Sequence, residues 1–215
     1  MKARITVLGP VLFSILLVFG MLSGCSDSSD EPIDTQINND IDDTTLISEE
    51  DEQALLFMLE EEKLARDTYQ FLNDYWDMVQ FENIMQSEQS HMNAVETLLK
   101  AYHIPYEILE NGKFTNEDLQ AWYDKFAEEG VVDEVAALTI GATIEDLDIV
   151  DLDDHIQATS NPYIIEVFSS LQCGSRNHLR SFVQSIENLG STYEPQFLSQ
   201  EAYDAILEGS HEQCN

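Results

Sequence analysis

The sequence predicts an all-α domain, an antiparallel four-helix bundle with a crossover helix between helices two and three and a short C-terminal helix. Three observations carry that prediction. Apolar residues recur at alternating steps of three and four along four long segments, which is the period of a helix face. Strand-like alternation and interior proline are nearly absent from those segments. The connection between the second and third segments is too long for a hairpin, and it holds a helical stretch of its own, as a crossover does.

At the N-terminus, Lys2 and Arg4 precede an apolar run from about Ile5 to Leu22, interrupted by Gly9 and Pro10. Charge followed by a short, broken apolar stretch is the build of a signal peptide rather than of a membrane span. The run closes on Leu22-Ser23-Gly24-Cys25, which resembles the bacterial lipobox. That resemblance implies removal of residues 1–24, lipidation of Cys25 and anchoring of an exported protein to a membrane of the bacterial cell envelope. Ser26 in the following position favours the outer membrane where the organism has one. Residues 25–47 are rich in Ser, Asp, Asn and Thr and hold no aromatic residue, so they read as a disordered acidic tether. The bundle is expected over 48–190, and a tail with a short helix over 191–215.

The first helix is expected from about Glu49 to Trp76, capped by Ser48, with the seam Leu55, Met58, Glu62, Ala65, Tyr69, Leu72, Trp76. The second runs from about Val79 to His103 and stops before Pro105; its seam is Phe81, Ile84, Glu88, His91, Val95, Leu98, Tyr102. The crossover helix follows Thr115, read as its cap, and ends near Gly130. The third bundle helix covers about Val131 to Gln157, with Glu134, Leu138, Gly141, Glu145, Asp148, Leu152 and His155 inward. The fourth begins at Pro162 after Asn161 and reaches about Asn188. Its seam is Ile164, Phe168, Leu171, Ser175, His178, Phe182, Ser185, Leu189. A last short helix spans Ser199 to Leu207 and is expected on the bundle end.

Charge narrows the function. Lys+Arg 9 against Asp+Glu 42 gives a formal net charge of -33, so no basic stripe exists to neutralise phosphates, and a nucleic-acid partner is not expected. Most of these acids belong on solvated faces. The informative ones interrupt the apolar seams: Glu62, Glu88, Glu145 and Asp148, with His91 and His178. A lone buried carboxylate protonates or finds a partner, and four facing one core repel each other. Two divalent cations cancel that charge, and two imidazoles complete the donor set of a dinuclear bundle site. Glu88-Gln89-Ser90-His91 puts two donors on one helix face. Glu134 and His155 lie near the helix ends and read as water-exposed. Cys173 and Cys214 show no metal-ligand spacing, and the sequence leaves open whether they pair. Gly141 reads equally as room beside the site and as close helix packing. Tyr69 reads as a core aromatic, or as a hydrogen-bond donor to a ligand or a redox relay.

At these residues the chain resembles the ferritin-like superfamily. Glu62 followed by Ala65 and Tyr69 is similar to the first ligand helix of rubrerythrins; Glu88 and His91 match the second, and Glu145 and Asp148 the third. More closely, EEKLARD, SEQSHM, GATIEDLDI and GSRNHLR, within about 50–190, resemble the family catalogued as domain of unknown function 2202. The resemblance implies a four-helix bundle with two metal ions, iron before manganese, held by Glu62, Glu88, His91, Glu145, Asp148 and His178. One departure stands out. Ser175 occupies the place of the fourth-helix glutamate, so Asp148 is expected to supply that carboxylate, and a single bound ion becomes an alternative. Arg66 and Arg180 are each expected to pair with a nearby carboxylate, as support for the ligands or for the structure, and Tyr69 and Ser175 are expected beside the ligands.

The functional expectation is a membrane-anchored metalloprotein that oxidises iron or reduces peroxide, with O2 or peroxide as the small-molecule partner and a homodimer as the assembly to test. Its alternatives are a metal-binding or partner-binding lipoprotein module without turnover, and a structural bundle whose core carboxylates are protonated or paired.

Overall fold

The computed structural model describes residues 47–214; the expected leader, the lipidated Cys25 and nearly all of the tether lie outside them. Among the described residues there are six helices and no strand: α1 (Glu49–Trp76), α2 (Val79–Ala101), α3 (Glu117–Glu129), α4 (Glu134–Ala158), α5 (Pro162–Asn188) and α6 (Gln200–Glu208). None of them is long and apolar enough to cross a membrane.

Local chemistry sets the ends of these helices. Side chains of Ser48, Asn116, Asp133, Asn161 and Ser199 accept first-turn backbone N–H groups of α1, α3, α4, α5 and α6. Each such cap stabilises its helix by about 1 kcal/mol. Pro162 occupies the first turn of α5, where its missing N–H costs nothing. Between α1 and α2 the chain turns on Asp77, left-handed at φ 54, whose N–H returns to Asn73 O. Two boundaries differ from expectation. Asn116, not Thr115, caps α3, because its Oδ1 accepts from both Asp118 N and Leu119 N. The third bundle helix starts at Glu134 rather than Val131, since Asp133 in extended conformation accepts from Ala136 N.

The four long helices pack in an all-α bundle. α1 lies along α2 and α4 along α5, while α1 also meets α4 and α2 meets α5. The short α3 sits against α1 and α4, and α6 packs on α5. Two apolar clusters result. One centres on Leu55, Met58, Val95, Leu98, Leu152 and Phe168; the other on Tyr69, Phe81, Ile144, Phe182 and Ile186. In the second, the rings of Tyr69, Phe81 and Phe182 stand 5.4–5.9 Å apart, tilted against one another. Such pairs add about 0.5–1.5 kcal/mol each beyond their buried area.

Gly141 is decided by this packing. A Cβ there would meet the Phe182 ring at 2.5 Å, so the glycine admits a close-packed aromatic ring and leaves no free room. At the seam ends, Glu134 is exposed as expected, whereas His155 is half buried between the Phe57 and Phe168 rings. Leu189, expected inward, is 48% exposed, because α5 has ended by then.

Candidate metal centre

Each long helix delivers polar side chains to one place at mid-length: Glu62 from α1, Glu88 and His91 from α2, Glu145 and Asp148 from α4, Ser175 and His178 from α5. The carboxylates are almost completely buried, and the two histidine side chains are 12% exposed.

The donors form two overlapping sets. Ligand atoms of Glu62, Glu88 and His91 lie within 4.8 Å of one another, and so do those of Glu88, Glu145 and His178. Glu88 joins the sets, giving Oε2 to one at 2.8 Å from His91 Nδ1 and Oε1 to the other at 2.9 Å from His178 Nδ1. His91 Nδ1 is also 3.1 Å from Glu62 Oε2, and His178 Nδ1 is 3.4 Å from Glu145 Oε2. The imidazole rings face each other with centroids 5.8 Å apart.

Hydrogen bonding accounts for only part of this arrangement, the pairing of His91 Nδ1 with Glu62 Oε2. Glu62 Oε1, Glu88 Oε1, Asp148 Oδ1 and His178 Nδ1 are buried without a hydrogen-bond partner. His178 Nδ1 and Glu88 Oε1 are close enough but not aligned as donor and acceptor. Buried polar groups are nearly always satisfied. Carboxylate oxygens left without a donor and converging on imidazole nitrogens are what a cation satisfies, and oxygen plus imidazole nitrogen is a donor set that suits iron, manganese or zinc.

Electrostatics agrees. Burial pushes Glu62 up to about 8, against the pull of His91 and with repulsion from Glu88. Burial, then Glu62 and Glu145, holds Asp148 well above the usual carboxylate range, and burial raises Glu145. For Glu88 burial acts upward too, but the imidazoles of His178 and His91 outweigh it and hold the group low. Burial opposes charge on His178, yet Glu88 and Glu145 push it up to about 10; His91 is raised likewise by Glu62 and Glu88. The raised groups, Glu62, Asp148 and Glu145, hold protons in the cluster, and an ion bound there would displace them.

The family described as an uncharacterized protein domain, DUF2202, matches residues 51–210. The chain belongs to this family. A relative from Methanocaldococcus jannaschii, the uncharacterized protein MJ0754, is 48% identical over 168 residues, 77% of this chain and 91% of the relative. The crystal structure of hypothetical protein MJ0754 from Methanococcus jannaschii DSM 2661 is similar with a TM-score of 0.77 at 47% identity, over 79% of this chain and 98% of that one. All candidate ligands of this DUF2202 protein fall inside the matched stretch.

The other sequence-predicted residues divide. Tyr69 is fully buried among aromatic rings, and its hydroxyl donates to Glu145 Oε1 at 2.5 Å. Ser175 Oγ donates to Asp148 Oδ2 at 2.5 Å. That contact turns Asp148 toward α5, and Asp148 belongs to neither ligand set. Arg66 and Arg180 each pair with a carboxylate outside the cluster. Arg66 donates to Asp67 Oδ1 at 2.6 and 2.9 Å and to Gln89 at 2.8 Å. Arg180 donates to Ile206 O at 2.7 Å and Glu212 Oε1 at 2.6 Å. Their support goes to loop and tail.

Several polar residues of the DUF2202 domain escaped sequence reading. Asp67 is buried and gathers Lys63 Nζ at 2.5 Å, Arg66, and Gly112 N at 2.9 Å. Lys63 also donates to the carbonyls of Glu110 and Lys113, so EEKLARD ties the loop after α2 onto α1. Gly112, at φ 74, takes a turn that a side chain would strain. Asp146 is wholly buried and accepts from Tyr193 OH and from the backbone N–H groups of Gln196, Phe197 and Leu198. Glu61 is buried beside the cluster with neither oxygen hydrogen-bonded. Burial, then Asp148 and Asp151, raises it well above its ordinary range.

A pocket of about 520 Å³ reaches His91, Gly174 and His178 from the outside, and His211, Glu212, Gln213 and Cys214 form its opposite wall. A Cβ on Gly174 would lie 2.7 Å from His91 Cε1 and Nε2, so the ring edges turned away from the carboxylates border this pocket. Cys173 and Cys214 form a disulfide across 41 residues, which pins the tail there. Glu212 reinforces it: hydrogen bonds from Arg176 and Arg180 hold its carboxyl down to about 2.

Proposed function

We propose that this protein is a ferritin-like metalloprotein that holds two ions of the iron or manganese class between its four long helices and uses them in redox chemistry, oxidising Fe(II) or reducing peroxide. One observation carries the reading: two three-residue ligand sets share Glu88, with one oxygen given to each. In this reading Glu62 and His91 would hold one ion and Glu145 and His178 the other, with Glu88 shared by the two sets. Asp148 stands beside the pair, held off by Ser175. Redox-active ions in such a pair would supply electrons to O2 or peroxide two at a time. The chain's own residues exclude water from the pair, and Tyr69 fixes the Glu145 carboxylate through its hydroxyl.

Elemental analysis after anaerobic loading with Fe(II) or Mn(II) tests this, with about two ions per chain expected. A protein that retains none ends the reading. His91→Ala removes a ligand and lowers the content sharply; unchanged content would take His91 out of the site.

The Ser175–Asp148 contact favours a second reading, a metal-binding module without turnover. With Asp148 engaged by Ser175, five residues are left as direct donors, and Glu88 is divided between the two sets. This reading predicts ion uptake with no consumption of oxygen or peroxide. In either case residues 1–25 support an envelope location, with Cys25 lipidated and the acidic tether lifting the domain off the membrane; radiolabelled lipid incorporated by the wild type and not by Cys25→Ala tests that.

A further inference from the structure

α1 carries two adjacent glutamates beside the cluster, and an α-helix rotates by about 100° from one residue to the next. Glu62 meets the ligand atoms, and Glu61 meets α4. There Glu61 is 2% exposed, and neither oxygen meets a donor. What it meets are carboxylates. Asp151 is within hydrogen-bonding reach, and Asp148 lies close by. Asp148 and Asp151, three residues apart, share one face of α4, and Asp148 in turn confronts Glu62 and Glu145. Asp151 is half buried, and Asp153 and Asp154 just beyond it are exposed. Carboxylates therefore run in file from solvent to the cluster: Asp151, Glu61, Asp148, Glu62. Among the described residues no lysine or arginine pairs with Glu61, Asp148 or Asp151.

A buried carboxylate with neither donor nor counter-charge is costly, and Glu61 is one; Asp148 and Glu62 beyond it each keep one further oxygen without a partner. A passing cation removes the cost at each step. The pocket on the other side of the cluster does not offer the same passage, since it borders the imidazole edges turned away from the ligand carboxylates.

We propose that Glu61 and Asp151 form a transit site for divalent transition-metal ions, which reach Glu62 and Asp148 along the α1–α4 face. Two carboxylates with water hold an ion briefly, whereas resident sites draw on three or four protein ligands. The proposal rests on the reading of the cluster as a metal centre, and its test separates the two.

Metal-free protein is mixed rapidly with Co(II); the visible absorption of the bound ion gives the rate, and elemental analysis gives the final number of ions. Glu61→Gln and Asp151→Asn should fill to the wild-type number but roughly tenfold more slowly, the size expected for a lost cation-focusing group. Glu61→Asp should recover part of the rate. Wild-type rates in both variants would overturn the proposal and leave Glu61 and Asp151 as a proton-sharing pair. A lower final number in Glu61→Gln would also overturn it, by making Glu61 a resident ligand. Should Glu61→Gln fold poorly, Asp151→Lys at the half-exposed position decides the matter: slow uptake supports transit, and an unchanged rate refutes it. A wild type that takes up no ion refutes the metal centre itself, and the transit site with it.

Discussion

Gly174→Ala tests the centre without replacing a ligand. An added Cβ would lie 2.7 Å from His91 Cε1 and Nε2, where carbon contacts ordinarily settle at about 3.5–4.0 Å. The ring must retreat by about 1 Å. It has little freedom to do so, because Nδ1 stands 2.8 Å from Glu88 and 3.1 Å from Glu62. In the chelated protein two effects oppose each other. Alanine inside a helix gains about 1 kcal/mol over glycine, and overpacking costs about 1–3 kcal/mol. The net loss is about 0–2 kcal/mol, which lowers Tm by no more than about 8 °C in a domain of this size. A disturbed ligand orientation costs about 10–100-fold in metal affinity. Competition against a chromophoric chelator measures the affinity, and a thermal melt in excess chelator measures the fold. Gly141→Ala is the counterpart, since its Cβ strikes Phe182 and no ligand; it should lose stability and keep most of its affinity. Wild-type affinity in Gly174→Ala, or equal affinity losses in both variants, would refute the assignment of His91.

Further outcomes follow from the same contacts. Tyr69→Phe keeps the ring among Phe81 and Phe182 but removes the donor to Glu145; the chelated protein should lose about 1–3 kcal/mol in urea unfolding, and metal affinity should weaken. Asp146→Ala strips the acceptor from Tyr193 and three backbone N–H groups, so urea unfolding should show a loss of at least about 3 kcal/mol while the ion number holds. The pH dependence has a definite sign. Glu62, raised from 4.5 to about 8, and His178, raised from 6.5 to about 10, both bind more protons folded than unfolded. The metal-free fold therefore loses stability as pH rises from 6 to 9, first through Glu62 and then through His178. Ion affinity rises over the same window because fewer protons must leave. Melts of chelated protein that climb with pH would contradict both shifts.

The parts legible in the sequence are those that helical periodicity controls. Glu62, Glu88, His91, Glu145 and His178 fall on seams of three-four spacing, and the structure brings them together for that reason. Asp148 was legible as inward-facing but not as turned to Ser175, which depends on how α4 and α5 meet in register. The acids that escaped notice sit in charge runs or have partners far along the chain. Asp67 depends on Gly112, and Asp146 on the stretch from Tyr193 to Leu198, so their burial has no local signature. Glu61 stands beside Glu62 in a run of three glutamates, and a run of this kind usually marks a solvated face. Only the α1–α4 contact shows that two of its members are buried. The Thr115–Asn116 shift at the cap of α3 is a one-residue ambiguity between two side chains of similar capping ability.

The Cys173–Cys214 bond bears on how this protein is handled at the bench. Cys173 adjoins the glycine against which His91 packs, and Cys214 belongs to the wall opposite the two imidazoles. A thiol reductant, often added to keep Fe(II) reduced during loading, would cut that bond. It would free the tail and place two new sulfur donors beside the histidines. Soft thiolate favours different metals from carboxylate and imidazole. Ion preference measured with and without such a reductant would therefore describe two different donor sets in one polypeptide.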